Sequence, residues 1–275
     1  MKKLILLVMC LVMAFAFASC EGKQGEKGEK GDKGDTPTIS ISDDGYWVIN
    51  GEKTNVKAEA DAAGDSANPQ GLDFYLKDDG TYAVAIGKAK YLSEIVIPAT
   101  YCGRAVTEIT AYGFSGYITE EVLPLKKITI PDSVTSIGNE AFRSCSNLTS
   151  VTIGNGVTSI GYEAFEYCTS LTSVAIPESV TSIGMYAFYN CSSLTSVTIG
   201  NGVTSIGSDA FYSCSSLNTV YYKGTAEEWS SIAIDNTYGA NSKLIDATRY
   251  YYSETEPTIQ GNFWHYNDEG EIVLW

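Results

Sequence analysis

Apolar residues recur along this chain at a fixed interval. From Ser150 to Cys191 it reads SVTIGNGVTSIGYEAFEYCTSLTSVAIPESVTSIGMYAFYNC, so the same pattern of inward and outward positions is written twice. The interval is 23 residues: Leu148, Leu171, Leu194 and Leu217 keep it, and so do Ile137, Ile160, Ile183 and Ile206. Phe142, Phe165, Phe188 and Phe211 form a further column, and Cys145, Cys168, Cys191 and Cys214 another. Such a period marks stacked repeats, in which no unit buries its apolar face without a neighbour. Within a unit, LTSVTI alternates with period two and predicts a short strand with Val and Ile inward and Thr outward. A tight turn follows, written as PDSV or PESV at Pro131 and Pro177 and as GNGV at Gly154 and Gly200. TSIG predicts a second short extended segment. NEAFRSC or YEAFEYC then predicts one short helical turn, with Ala and Phe facing the core and the residues between them facing water.

These residues carry a resemblance. The unit LTSVTIPxSVTSIGxxAFxxCSS is similar to the BspA-like subclass of leucine-rich repeat over roughly residues 92–222. A degenerate first copy keeps Leu92, Ile97, Pro98, Val106, Ile109 and Phe114, with extra residues between Pro98 and Val106 and again after Phe114. The resemblance implies a leucine-rich repeat solenoid of short stacked parallel strands with short helical or irregular returns. About six rungs are expected, with a hairpin cap at each end. The strand-turn-strand pattern around Asp79-Gly80 suits an opening cap at residues 72–91. Residues 223–275 suit a closing one: Thr225 and Glu228 have capping-box spacing, and Tyr250 to Tyr252, Trp264, Tyr266 and Trp275 flank an NDEG turn. An aromatic hairpin hiding the last rung is the expected arrangement. Relatives of this kind are associated with adhesion to host matrix proteins and with co-aggregation, so the resemblance implies adhesion or ligand capture.

The N-terminal end bears on where this would happen. Lys2 and Lys3 precede the apolar run LILLVMCLVMAFAFA, too short for a spanning helix, which reads as an export signal over residues 1–19. Its close, FASC, resembles a lipobox and implies acylation at Cys20; cleavage nearby without lipidation is the alternative. The expectation is a surface lipoprotein of a Gram-negative outer membrane, held by that lipid alone. Residues 20–71 read as spacer. Glycine recurs every third residue at 22, 25, 28, 31 and 34, as in collagen, but without proline in the triplets a charged tether is favoured over a trimerising stalk. Asp44-Gly45 and Asn50-Gly51 predict turns around a small hairpin.

Composition and chemistry narrow the function. The net charge of −15 repels nucleic acid and anionic membrane surfaces. The cysteine column, next to Phe, reads as a buried thiol ladder; disulfides between rungs about 4.8 Å apart are the alternative. Paired short spacings of the kind zinc needs are absent, and no cofactor is called for. Cys102, in the enlarged loop of the first copy, reads as an exposed odd thiol. His265, the one histidine, sits between Trp264 and Tyr266 and reads as structural, and no nucleophile motif or singled-out carboxylate pair argues for an enzyme.

Comparing the copies with one another separates what the fold fixes from what it leaves free. Around Ala-Phe the columns read Asn139, Tyr162, Met185, Ser208; Glu140, Glu163, Tyr186, Asp209; Arg143, Glu166, Tyr189, Tyr212; and Ser144, Tyr167, Asn190, Ser213. Five tyrosines stand at these positions, and tyrosine offers a broad face with a hydrogen-bonding tip at low entropic cost. Tyr162, Tyr167, Tyr186, Tyr189 and Tyr212, with Arg143 and Glu166, are the candidate binding residues for an extracellular or host protein. A glycan is the second candidate ligand, a structural envelope role the third, and cover for apolar rungs the plainest account of the tyrosines. Thr129, Thr152 and Thr198, with Ser150, Ser173 and Ser196, predict a second exposed face of hydroxyls.

Overall fold

Each 23-residue unit gives two short strands and a turn segment, and each of these stacks on its counterpart in the next rung. The structure, a computed structural model, describes residues 70–117 and 122–275 and, by backbone alone, the strands Ile39–Ile41, Tyr46–Ile49 and Glu52–Lys57. Those three strands pair antiparallel in sequence order, where one hairpin was expected. Cys20, the signal segment and the Gly-X-Y run lie outside the described residues.

The TSIG segments form one parallel sheet, with Ser136 paired to Ser159, Ser159 to Ser182 and Ser182 to Ser205. The antiparallel pair Asp73–Leu76 and Tyr82–Ala85 covers its N-terminal edge, and Ala233–Ile234 adds the last strand. Threonine hydroxyls add a bond per rung on this side: Thr158 Oγ1 donates to the carbonyl of Thr135, and Thr181 to that of Thr158. The LTSVTI segments form the other side in two sheets. Glu94–Val96, Lys127–Thr129 and Ser150–Thr152 make the first, and Ser173–Ile176, Ser196–Ile199 and Thr219–Tyr222 begin the second. Alternation holds: in Ser173–Ile176 the Val and Ile are buried and Ser173 and Ala175 exposed.

The Ala-Phe segment is not the expected helical turn. Glu140, Ser144, Glu163, Tyr167, Tyr186, Asn190, Asp209 and Ser213 all take φ between 53° and 60°, the left-handed region. Alternate N–H groups therefore point in different directions. Glu140, Phe142 and Ser144 donate onward to the carbonyls of Tyr162, Ala164 and Glu166 at 2.7 Å, whereas Ala141, Arg143 and Cys145 donate back three residues. A helix spends its N–H groups on itself; this alternation feeds half of them into a third ladder between rungs. Each left-handed residue costs roughly 1–2 kcal/mol, offset by the ladder it permits.

The alternating turns also have a packing cause. A Cβ on Gly156 would lie 1.9 Å from the carbonyl oxygen of Asp132, and one on Gly202 1.8 Å from that of Glu178. Each Gly-Asn-Gly turn thus beds onto the carbonyl of the Pro turn before it. In the Pro rungs, Ser133 and Ser179 instead donate their hydroxyls to the carbonyls of Val106 and Val157.

In the core, Phe114, Phe142, Phe165, Phe188 and Phe211 stack with ring centroids 5.0–5.3 Å apart. Cys145, Cys168, Cys191 and Cys214 are buried free thiols, each donating to the carbonyl of a Phe one rung earlier. Burial pushes Cys145 and Cys214 up to about 12 and the two between them well above the usual thiol value.

Four expectations are corrected. Leu92 is 37% exposed at the C-cap of the turn Gly87–Tyr91, whose buried residue is Ala89. Cys102 is half-buried rather than exposed; with Gly103 it forms the left-handed corner of a hairpin between Thr100–Tyr101 and Arg104–Ile109, made by the extra residues of the first copy. Thr198 is buried beside its in-register neighbour Tyr221. The aromatic hairpin does not cross the last rung. Thr248–Tyr252 and Phe263–Tyr266 extend the second sheet in parallel and Ile272–Leu274 closes it antiparallel. By alternation Tyr221, Tyr250, Tyr252 and Trp264 share the face opposite the core residues Val220 and Tyr222, and the Trp264 indole donates to the Tyr222 carbonyl. His265 lies against Trp275 at 4.0 Å.

The rung end is covered instead by Ala226–Ser230, whose Thr225/Glu228 capping box forms as the spacing predicts, and by Ser242–Asp246. Asn241 is fully buried there. Its Oδ1 accepts from the Phe211 N–H, which has no further rung to bond, and its Nδ2 donates to the carbonyls of Gly207 and Asp235.

Candidate functional site

The third ladder decides where the variable residues go. Left-handed positions alternate with core positions, so the side chains of Glu140, Glu163, Tyr186 and Asp209 project as one column. Arg143, Glu166, Tyr189 and Tyr212 project as the next, one turn along. All five candidate tyrosines meet. Tyr162 packs edge-on against Tyr186 at 5.9 Å, Tyr186 against Tyr189 at 5.5 Å and Tyr167 against Tyr189 at 5.7 Å, while Tyr189 stacks on Tyr212 at 5.6 Å. Tyr162, Tyr167 and Tyr212 are exposed, and Tyr186 and Tyr189 half-buried among them.

The charged residues of these columns do not face water as expected. Glu140, Glu163 and Glu166 are buried. The cause is Arg143, whose Nη1 lies 2.7 Å from both Glu140 and Glu163, and whose Nε lies 2.7 Å from Glu166. Only the contact to Glu140 has hydrogen-bond geometry; Arg143 Nε, Glu163 Oε2 and Glu166 Oε2 are out of solvent in charge contact without a directed bond. The guanidinium also covers the Tyr117 ring at 4.6 Å. Burial by itself would lower the Arg143 pKa, yet the bond to Glu140 and the charges of Glu166 and Glu163 carry it above its usual value.

One cation cannot balance three carboxylates in so dry a place. Burial, with a hydrogen bond to Glu163, pushes Glu166 up to about 7. A hydrogen bond to Glu163 raises Tyr162 to about 12, and one to Glu140 raises Tyr112. Beside the cluster lies a shallow depression of about 350 Å³. Its polar lining is Glu163, Glu166 and Asp209; its walls are Tyr167, Tyr186, Tyr189 and Tyr212.

Sequence reasoning placed Arg143 and Glu166 in the site but left out Glu140, Glu163 and Asp209. The signal was present in the columns, since Arg143 and Glu166 stand 23 residues apart and so one rung apart. The hydroxyl face is less regular than expected: Ser150, Ser173 and Thr152 are exposed, Thr129 and Ser196 half-buried.

The family described as BspA type leucine rich repeat region matches residues 107–241 in six copies. A leucine-rich repeat protein of T. pallidum is 30% identical in sequence, over 56% of this chain and 69% of that one, with a TM-score of 0.51. A leucine rich cell surface protein of Faecalibacterium prausnitzii A2-165 is 29% identical over 59% of this chain and 40% of that one, also with a TM-score of 0.51. No curated protein is significantly similar to the chain. Register, rung pattern and both likenesses converge: the chain belongs to the BspA-type leucine-rich repeat family.

Proposed function

We propose that this protein is a non-enzymatic binding scaffold displayed on the cell surface, and that its tyrosine face captures a protein of the host or of a neighbouring cell. The observation that carries the reading is the contact of five tyrosines from three successive rungs in one patch beside a depression. Rigid aromatic side chains clustered on a repeat surface are what a protein-binding face needs. Tyr162, Tyr167, Tyr186, Tyr189 and Tyr212 form the face, and Arg143 and Glu166 set its floor. Surface display draws support from the F. prausnitzii likeness, itself a cell surface protein, and from the FASC sequence. On this reading residues 1–19 direct export, Cys20 carries the lipid, 20–71 tether, 92–222 form the repeat array, and 72–91 and 223–275 cap it.

The test is a binding array of extracellular matrix proteins, bacterial surface proteins and polysaccharides. It is probed with the full chain in neutral detergent and with a variant carrying alanine at Tyr162, Tyr186, Tyr189 and Tyr212. Saturable protein binding lost in the variant is expected. Binding to polysaccharide alone would replace the reading with glycan capture, and protein binding unchanged in the variant would move the site elsewhere.

A further inference from the structure

Resting on the reading of the tyrosine face as a binding surface, a second question is which chemical group that face takes. Four carboxylates stand there, Glu140, Glu163, Glu166 and Asp209, and Arg143 is the cation among them. Arg143 gives its directed bond to Glu140, which does not line the depression. Glu163 and Glu166 line the depression with side chains only 10% and 8% exposed, and the Oε2 of each is held 2.7 Å from an Arg143 nitrogen in charge contact without a directed bond. One rung further on, the place equivalent to Arg143 is filled by Glu166, and the next two by tyrosines. The pattern of carboxylates continues where the guanidinium does not.

We propose that the depression binds a cationic side chain, an arginine or lysine of a partner protein, between the oxygens of Glu163, Glu166 and Asp209 and the rings of Tyr167, Tyr189 and Tyr212. A guanidinium or ammonium brings a second positive charge to a wall of carboxylates that Arg143, already shared among Glu140, Glu163 and Glu166, does not balance. Its flat or rounded apolar flank fits against tyrosine faces, which attract cations through the ring quadrupole. Among the described residues no three carboxylate, thiol or imidazole groups converge as ligands of a metal ion do, which points to an organic cation. A chain of net charge −15 steers a basic segment toward itself from a distance.

The occupant also makes a proton move. Glu166 is faced by Glu163 on its own rung, by Glu140 and Arg143 on the rung before, and by Tyr162, Tyr189 and the buried Cys191. A second cation beside this set favours the ionised carboxylate, so binding releases a proton and strengthens as pH rises from 6 to 8.

The experiment titrates the full chain, in neutral detergent, with a capped Gly-Ser-Arg-Ser-Gly peptide and with the same peptide carrying citrulline, which keeps the shape and removes the charge. Binding is followed through the tyrosine ring resonances. The arginine peptide is expected to shift the Tyr189 and Tyr212 signals saturably, and the citrulline peptide to bind about tenfold more weakly or worse. Glu166→Gln should lose both the shift and its pH dependence, whereas Asp268→Asn, which removes an equal charge from the exposed NDEG turn, should keep them. Equal binding of the two peptides, or of both variants, overturns the cation site. If a protein partner from the array binds the tyrosine face as tightly after its lysines and arginines are chemically blocked, the cation site fails while the protein-binding reading stands. If the arginine peptide binds as described and no protein does, the cation site stands and the adhesion reading fails.

Discussion

Glu166 sums up the tension in the site. In the folded chain its carboxyl holds a proton up to about pH 7, against 4.5 for the ordinary value. Between those values the folded state binds a proton that the unfolded chain has released. The stability from this source is therefore whole below about pH 4.5 and drains away as pH rises through 7. A thermal melt should fall steadily from pH 5 to pH 8 in the native protein, and the Glu166→Gln variant, neutral throughout, should show a flatter profile. A slope unchanged by that substitution would mean that some other group titrates. Arg143→Ala removes the cation from three buried carboxylates. The expected loss is about 3 kcal/mol, at the low end for a buried pair because the arginine side chain keeps 24% of its surface in solvent. That loss should shrink toward pH 5, where Glu166 is protonated and asks less of the cation. Equal losses at pH 5 and pH 8 would mean that Arg143 acts through its packing on Tyr117 rather than its charge.

At the scale of the element, the rung is defined by how closely its backbone lies on the next. Gly156→Ala puts a Cβ 1.9 Å from the Asp132 carbonyl oxygen, so the two rungs must separate, at a cost of about 1–3 kcal/mol by denaturant titration. Ser179→Ala, one rung on at the equivalent position, gives up only a hydroxyl bond to the Val157 carbonyl and should cost about 1 kcal/mol. If the two variants cost the same, the alternation of Pro and Gly turns has no packing basis. The strands and the Phe, Cys and Ile columns were legible because identical side chains must stack on identical side chains, which prints the period into the sequence. The Ala-Phe segment was misread because its left-handed positions carry Glu, Tyr, Asp, Asn and Ser, and none of these residue types announces positive φ as glycine does. Burial of Glu140, Glu163 and Glu166 was hidden for a related reason: it depends on Arg143, a partner that one rung lends to the next. Leu92 shows the converse failure, since it keeps the motif while the enlarged loop and the turn before it leave it in solvent.

For the molecule as a whole, the array must end, and its ends are where repetition stops helping. The N-terminal edge of the TSIG sheet is met by a hairpin whose Tyr82–Ala85 strand pairs in parallel with Arg104–Ile109. The C-terminal end has no further Ala-Phe segment to accept its N–H groups, and Asn241 supplies the missing acceptor for Phe211 while donating to Gly207 and Asp235. Nothing in the stretch TYGANSKL marks Asn241 in advance, because its role follows from where the last rung leaves off. Asn241→Ala strands the Phe211 N–H and the Asp235 carbonyl, while the Gly207 carbonyl keeps its bond from Ala210, at about 1–3 kcal/mol for each group that finds no water. Neighbour-only coupling in a stacked array means the damage should spread from that end. Hydrogen exchange should therefore quicken at Ser205–Ile206 and Phe211 while Ser136–Ile137 and Ser159–Ile160 keep their protection. Equal acceleration along all rungs would show instead that the array opens as one cooperative unit, with the cap holding the whole tyrosine face and not only Tyr212 beside it.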